Sequence, residues 1–507
     1  MPAEARLWVQ SFRFEGNRMF SDAELAGVTQ PFTGRELDAG ELEEARRAVT
    51  LHYISRGYLS SGAVLPDQDP IDGVVVMKIV EGRLTEIHLE GNRWLSDRYL
   101  TGRLQRWSSP VLNLPELQDG LQQLRQNPNV DQINAELKPG PVPGTSELEV
   151  RVKERQPFRV GLQADNQRPP SVGAEQFWLE LADLNLTGHS DPLQIRYGIA
   201  NATADGLEFS GLDNLEGSYW LPLNRLETTV GVYGSRLNTS IVEQPFGSLD
   251  IESLTTSYGF GLRQPVHQTS RQEVALSLSL DHRVNQTELL GERFNLSPGA
   301  LNGETVVTVL RFSQDWVRRG PNHVVALRST FNFGLDAWEA TDNSVPGDPN
   351  AEFCSWQGQA QYIQRLFGTQ NQLVLRAAGQ WTGERLLALE QFSVGGYETV
   401  RGYLENQLVR DRALVSSVEF RLPLLFDKSG AGILFAAPFF DFGGAWNAGE
   451  SRDPTTIYST GVGLRAAPTK HLSAEVYWGY RLRDVDVPDD AGLQRYGVHF
   501  RLNLVAL

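Results

Sequence analysis

A chain of 507 residues is too long for one ordinary domain. Its net charge of −16 excludes a general nucleic-acid binder, which needs a basic face, and its one cysteine, Cys354, excludes an intrachain disulfide and most thiolate metal sites. Hydrophobic content of 40% and a mean hydropathy of −0.31 suit a soluble protein, and the longest apolar stretch, Gly432 to Phe440, is far short of a membrane helix. A membrane β-barrel averages to the same polar score, because its strands alternate. Met1-Pro2-Ala3-Glu4 leads straight into Leu7-Trp8-Val9 without the basic start or apolar core of a signal peptide. A membrane reading therefore carries the expectation that this is mature protein with an added Met1.

Two segments repeat, 75 residues apart. Phe12 to Leu25 and Ile87 to Leu100 share seven of fourteen positions, including Glu15-Gly16-Asn17-Arg18 and Glu90-Gly91-Asn92-Arg93. In each, a short strand meets a Gly-Asn turn, and Ser-Asp stands where a helix N-cap belongs. The first copy continues with a helical pattern over Asp38 to Ser55, with Leu42, Ala45, Val49 and His52 or Tyr53 on one face. Gly57 ends it as a C-cap. Strands are predicted near Gly62 to Pro66 and Gly73 to Glu81. The second copy has a helix from Pro115, which suits a first turn, and strands near Asp131 to Leu137 and Ser146 to Lys153. Both copies read as β-α-α-β-β modules, which alone would fit an unremarkable tandem of α+β domains.

From about Pro157 the helical signal stops and period-two segments take over. In Glu273 to Val284, for example, Val274, Leu276, Leu278 and Leu280 oppose Ala275, Ser277, Ser279 and Asp281. Sixteen such segments begin near Phe158, Glu175, Leu193, Gly217, Thr228, Leu254, Glu273, Val306, Val324, Trp356, Gln372, Leu414, Ile433, Tyr458, Leu472 and Tyr496. An even number permits closure, which removes unpaired backbone from lipid. A soluble β-sandwich also alternates, but places less Arg and Glu deep in mid-strand. Two connections are long, Ala337 to Phe353 and Gly383 to Asp411, and loops of that length are usually functional or disordered.

The second connection carries Val400-Arg401-Gly402-Tyr403. After it comes a strand with Ser417, Glu419 and Arg421 on one face and Val418, Phe420 and Leu422 on the other. Further on, Phe439, Asp441 and Gly443 share a strand face, while Phe440 and Phe442 suit lipid. An arginine on a long loop and a carboxylate inside a strand can meet, with the glycine leaving room for close approach.

Two such repeats, a sixteen-strand barrel, the Val-Arg-Gly-Tyr loop and the Phe-x-Asp-x-Gly strand together resemble the outer-membrane transporters of two-partner secretion. These are the hemolysin secretion/activation (TpsB-type) branch of the Omp85 superfamily. Gly57-Tyr58-Leu59, Ala63-Val64-Leu65-Pro66-Asp67-Gln68, Asp72-Gly73 and Val80-Glu81-Gly82 also resemble the end of that branch's first POTRA domain. The resemblance implies POTRA domains at 1–82 and 83–156, then a sixteen-stranded antiparallel transmembrane β-barrel over 157–507. Val400 to Tyr403 becomes the tip of the sixth extracellular loop, folded into the lumen within 383–411. Arg401 is expected to pair there with Asp441 on the thirteenth strand, a charge-assisted contact. The implied function is secretion: periplasmic POTRA domains capture an unfolded TpsA-type exoprotein at an exposed sheet edge, and the barrel conducts it outward without nucleotide hydrolysis. The expected setting is the Gram-negative outer membrane, with lipid around a monomeric barrel.

Two departures stand beside the resemblance. The family usually carries a plug helix and linker before the first POTRA domain, whereas here a strand is predicted from residue 7. Family barrels tend to end in an aromatic residue, and this chain ends Val505-Ala506-Leu507. No enzyme motif is present: neither G-x-S-x-G nor H-E-x-x-H nor a P-loop occurs. The eight histidines, His52, His88, His189, His267, His282, His323, His471 and His499, show no ligand spacing, so neither metal nor cofactor is expected. The alternatives are an Omp85-type insertase, which two POTRA domains rather than a longer array disfavour, and a passive solute porin, which has no use for POTRA repeats or an arginine loop.

Overall fold

The computed structural model describes residues 6–108, 110–201, 213–243, 249–343, 347–449, 455–489 and 491–506. The opening Met1 to Ala5, part of the Ala337 to Phe353 connection and the terminal Leu507 lie outside the described residues. The chain forms two compact units, Met1–Gln156 and Pro157–Leu507.

In the first unit, strands β1 (Leu7–Val9), β2 (Ser11–Glu15), β3 (Arg35–Leu37), β4 (Gly62–Val64) and β5 (Val74–Val80) accompany helices α1 (Asp22–Thr29) and α2 (Ala39–Ser55). The second module has β6 (Arg83–Glu90), α3 (Asp97–Arg106), α4 (Leu114–Arg125), β7 (Val130–Pro139) and β8 (Thr145–Glu154). Each module folds its strands into a three-stranded sheet, β2-β5-β4 and β6-β8-β7, with the first pair parallel. Local chemistry explains the helices. Asp38 and Glu41 form a reciprocal capping box at the start of α2, and Ser21, Ser96 and Asn113 accept backbone N–H bonds as N-caps of α1, α3 and α4. Ala45, Val49 and Tyr53, one face of α2, are fully buried against Phe12, Phe14, Val75 and Met77. Each of the larger apolar side chains here, Val49, Phe12, Phe14, Val75 and Met77, contributes about 1.5–3 kcal/mol by leaving water.

One detail differs from the sequence reading. The stretch from residue 7 is not one strand of the module's sheet: it breaks at Gln10, whose N–H donates to Gly73 O at 2.8 Å. Leu7–Val9 pairs instead with Arg35–Leu37 as a separate ribbon.

The second unit is a closed barrel. Its long strands are β9 (Phe158–Asp165), β10 (Gln176–Asp183), β11 (Leu193–Ala200), β12 (Asp213–Pro222), β13 (Thr229–Ser240), β14 (Ile251–Gln268), β15 (Gln272–Leu289), β17 (Glu304–Arg319), β18 (His323–Leu335), β19 (Cys354–Arg365), β20 (Gln372–Thr382), β23 (Arg412–Phe426), β24 (Gly432–Trp446), β25 (Thr455–Thr469), β26 (Leu472–Arg481) and β27 (Val498–Ala506). These are sixteen strands, each antiparallel to its neighbours. A two-residue stub, β16 (Glu292–Arg293), extends the β15 hairpin. The ring closes where β27 pairs with β9, from Arg501↔Asp165 to Ala506↔Val160. All sixteen predicted segments are present in order, and their starts differ by at most four residues, at Asp213 rather than Gly217.

Alternation divides the wall into two environments. On β24, Phe440 is 46% exposed on the outer face while neighbouring Asp441 is fully buried inside. Among the described residues no helix is long and apolar enough to cross a membrane. The crossing is made by strands.

Candidate functional site

The segment joining β20 to β23 is not structureless, contrary to its reading as a bare long loop. It contains a short antiparallel ladder, β21 (Phe392–Val394) with β22 (Leu408–Arg410). Three-residue strands leave no periodicity to read. Its root is tied to the wall: the Gln380 amide donates to the Glu390 and Asp411 carbonyls at 2.9 and 3.0 Å. The buried Asp411 carboxylate accepts the N–H groups of Leu386 and Ala448 and the Gln391 amide.

Beyond the ladder the chain turns through Gly395 and Gly396, both at positive φ, and brings Val400-Arg401-Gly402-Tyr403 against the inner face of the wall. Val400 and Tyr403 are fully buried with Val394, Val415, Ala445 and Ile457. Gly443 makes this possible, since a Cβ there would lie 2.4 Å from a Val394 methyl and 2.8 Å from a Val400 methyl. Gly402, at φ +93°, lies so close to Gly479 of β26 that a Cβ would sit 2.7 Å from the Gly479 carbonyl oxygen.

Arg401 is 1% exposed. Its Nε and Nη2 donate to Asp441 Oδ2 and Oδ1 at 2.8 and 2.9 Å, a bidentate fork, and its backbone N–H adds a bond to Oδ2 at 3.0 Å. The same guanidinium reaches Glu419 Oε2 at 2.5 Å through Nη1 and Ser417 Oγ at 3.0 Å through Nη2. Its Cζ lies 3.7 Å from the Phe439 ring centre and 4.6 Å from that of Tyr477. The pairing considered from sequence is thus brought together, with a second carboxylate added. Glu419 also takes Arg421 Nε at 2.7 Å and the Tyr477 hydroxyl at 3.2 Å. Gly402 N–H donates to His499 Nε2 at 3.2 Å, and Arg481 Nε donates to Gly402 O at 2.6 Å.

A second clasp holds the same segment to another part of the wall. Glu390, 5% exposed, accepts Arg283 Nη2 at 2.5 Å from β15 and Arg311 Nη2 at 2.8 Å from β17. Arg283 Nη1 also donates to Leu389 O at 3.0 Å. Arg311 Nε bonds Asp281 at 3.0 Å, and Asp281 accepts the Tyr233 hydroxyl at 2.5 Å. No motif marks Glu390, and the partners of its carboxylate lie more than seventy residues away in the chain.

The repeated Glu-Gly-Asn-Arg segments are structural turns. Gly16 and Gly91 adopt φ +92° and +85° and approach the Ile79 and Val152 carbonyls. Asn17 donates to Phe20 O and Asp22, and Asn92 repeats this with Leu95 O and Asp97. A carboxylate at the end of the last strand of each module, just past it for Glu81 and its final residue for Glu154, closes the turn: Glu81 accepts the N–H groups of Arg18 and Met19, and Glu154 those of Arg93, Trp94 and Leu95. Tyr53 also donates to Glu81 at 3.0 Å; burial first, and then the Glu81 charge, push its phenol well above the ordinary tyrosine value. Glu15 and Glu90 sit at the surface beside Arg13 and Arg151. Sequence reasoning found the turns but not Glu81 or Glu154 as their closing partners. Among the described residues no group of three or more His, Cys, Asp or Glu is arranged to hold a metal.

Comparison with known proteins adds identity to this geometry. Residues 144–466 match the family model described as haemolysin secretion/activation protein ShlB/FhaC/HecB, and residues 7–82 match the POTRA domain of ShlB type. The outer membrane transporter CdiB of Dickeya dadantii (strain 3937) is 25% identical over 418 residues, covering 78% of this chain and 69% of that relative. CdiB of Escherichia coli O6:K15:H31 (strain 536 / UPEC) is 26% identical over 482 residues, covering 92% and 77%. The solved structure of CdiB from Escherichia coli superposes with a TM-score of 0.77 at 22% identity, over 100% of this chain and 91% of that one.

Proposed function

From the premise that this chain belongs to the haemolysin secretion/activation ShlB/FhaC/HecB family, we propose that it is the outer-membrane pore of a two-partner secretion system. It works with a cognate exoprotein, which it carries in unfolded form to the cell surface. Residues 83–156 act as a second POTRA domain after the one at 7–82, and both stand in the periplasm while lipid surrounds a monomeric barrel. Capture uses an exposed sheet edge; the outer strands β2 and β4 of one sheet and β6 and β7 of the other are the available edges. Arg401, Asp441 and Glu419 form one functional unit that seats the 383–411 segment in the lumen.

The observation that carries this reading is the burial of Arg401 against two wall carboxylates, at the end of a segment long enough to occupy the barrel. A passive porin has no need to fasten a loop by a charge that costs so much to desolvate. The test is co-expression with a large repeat-rich exoprotein, sought first among the genes beside this one, and scored by appearance of the exoprotein on intact cells. Export should require this chain. Equal surface display without it would remove the proposal.

A further inference from the structure

With the segment seated, cavities remain among the described residues of the barrel, and three of them bear on a passing chain. One of about 490 Å³ lies along β17 to β20 and β23, lined by Arg328, Gln359, Gln361 and Arg376 among others. A second of about 370 Å³ lies beside the Glu390 clasp and is lined by Ser313, Arg328, Thr330, Gln357 and Gln359. The third, also about 370 Å³, lies across β11 to β14 and includes Arg196, Glu216, Tyr233 and Ser235.

The first two share Arg328 and Gln359 in their linings and so adjoin along β19. There the chain reads Gln357-Gly358-Gln359-Ala360-Gln361, which puts three glutamines on the inner face at every second residue. Register places Thr330 and Gln380 beside Gln357, Arg328 and Ala378 beside Gln359, and Ala326 and Arg376 beside Gln361. Gln359 and Gln361 are exposed to the cavity, and among the described residues neither side chain has a hydrogen-bond partner. A primary amide presents two donors and an acceptor without charge. That set matches the peptide unit itself and ignores side-chain identity. Arg328 and Arg376 face carboxylates, Arg328 with Asp315 at 2.6 Å and Arg376 with Glu419 at 3.8 Å. Their pairing keeps the track from selecting charge.

We propose that the three glutamines of β19 form the contact track along which an extended, unfolded polypeptide passes, by hydrogen bonds to its backbone. The track spans about 13 Å at roughly 3.3 Å per strand residue, room for about four residues of passing chain. The proposal rests on the reading of the barrel as a polypeptide pore and adds where in the lumen the polypeptide runs.

Disulfide trapping in planar bilayers tests it on the full chain, with Cys354→Ser as background. The probe is an unstructured Ser/Gly/Asn peptide with one cysteine and a lysine-rich tail, drawn in by applied voltage. Gln359→Cys should trap the peptide; Ser235→Cys, in the separate cavity across β11 to β14, and Phe331→Cys, on the outer face, should not. Gln357 donates to Gln380 at the root of the segment, so it is left in place; replacing Gln359 and Gln361 together by Leu should leave ion conductance intact. It should also shorten peptide blockades on the order of tenfold, as the loss of a few modest hydrogen bonds would. Trapping at Ser235→Cys, alone or equally, or unchanged blockade times in the double variant, would overturn the track while leaving the pore reading in place. Absence of any blockade in the unsubstituted protein would remove the pore reading itself, and the track with it.

Discussion

Arg401→Ala is the sharpest perturbation available. It strips Asp441 of both side-chain donors and of its counter-charge, leaving only the backbone N–H of residue 401, whereas Glu419 keeps Arg421 and Tyr477. Removing one half of a buried ion pair costs about 3–5 kcal/mol, chiefly because a carboxylate is left desolvated and unpaired. At about 1.4 kcal/mol per decade, the unseated state of the loop tip should rise by roughly two to four orders of magnitude. Val400 is fully buried in the seated state, so Val400→Cys in a Cys354→Ser background reports unseating through its rate of labelling by a bulky maleimide. Arg401→Ala should accelerate that labelling by about a hundredfold or more. Adding Asp441→Asn should recover much of the loss, because the unpaired charge is then gone. Arg401→Lys should fall between, keeping charge but losing the fork. The reasoning fails if Arg401→Ala, with normal heat-modifiable migration, labels no faster than its parent.

The Glu390 clasp predicts that Glu390→Ala raises steady conductance in planar bilayers and lowers export; Arg311 keeps Asp281, so combining it with Arg283→Ala should add little. Unchanged conductance in Glu390→Ala would show that this clasp does not hold the loop. In the first unit, Gly91→Ala forces a side chain to within 2.5 Å of the Val152 carbonyl at positive φ, a strain of about 1–3 kcal/mol, and should make residues 83–154 measurably more susceptible to protease. Glu154→Gln should act in the same direction, by weakening three backbone bonds; equal protease resistance in both variants would contradict the turn's role. Removing residues up to Arg155 should leave an ion-conducting barrel that no longer exports, and export by that truncated chain would refute the division of labour.

Much of this was legible in the sequence because period two persists along most of the wall, with local irregularities at Pro265 to His267, Pro423 to Phe426 and Ala466 to Thr469, and closure needs only an even count. Arg401 and Asp441 were readable because each sits in a compact motif. Glu419 was seen as a wet-face residue, yet its part in the site depends on the pairing of β23 with β24, which alternation within one strand does not specify. Glu390, Arg283 and Arg311 carried no local signal at all. Their meeting depends on how far a loop travels across a lumen, and that is set by the closed ring rather than by neighbours in sequence.

The position of Arg401 on the wall has a consequence for how the barrel and the loop depend on one another. Ser417 stands opposite Asp441, and Glu419 opposite Phe439, as consecutive inward-facing pairs of β23 and β24. The guanidinium touches all four. A slip of one residue between these strands would turn one member of each pair to the lipid side and leave nothing for the fork to grip. The tip therefore seats only on a correctly registered hairpin. The rest of the segment extends this demand around the ring. Glu390 needs β15 and β17, Gln380 of β20 holds the root, and Gly402 needs Arg481 of β26 and His499 of β27. At the seam, Glu405 N–H donates to Gln494, whose amide donates in turn to the carbonyls of Asn166 and Arg168, just past β9. Contacts that hold the loop in the lumen are thus also contacts between wall strands far apart in sequence. Unseating the loop withdraws support from the ring, and a ring out of register cannot seat the loop.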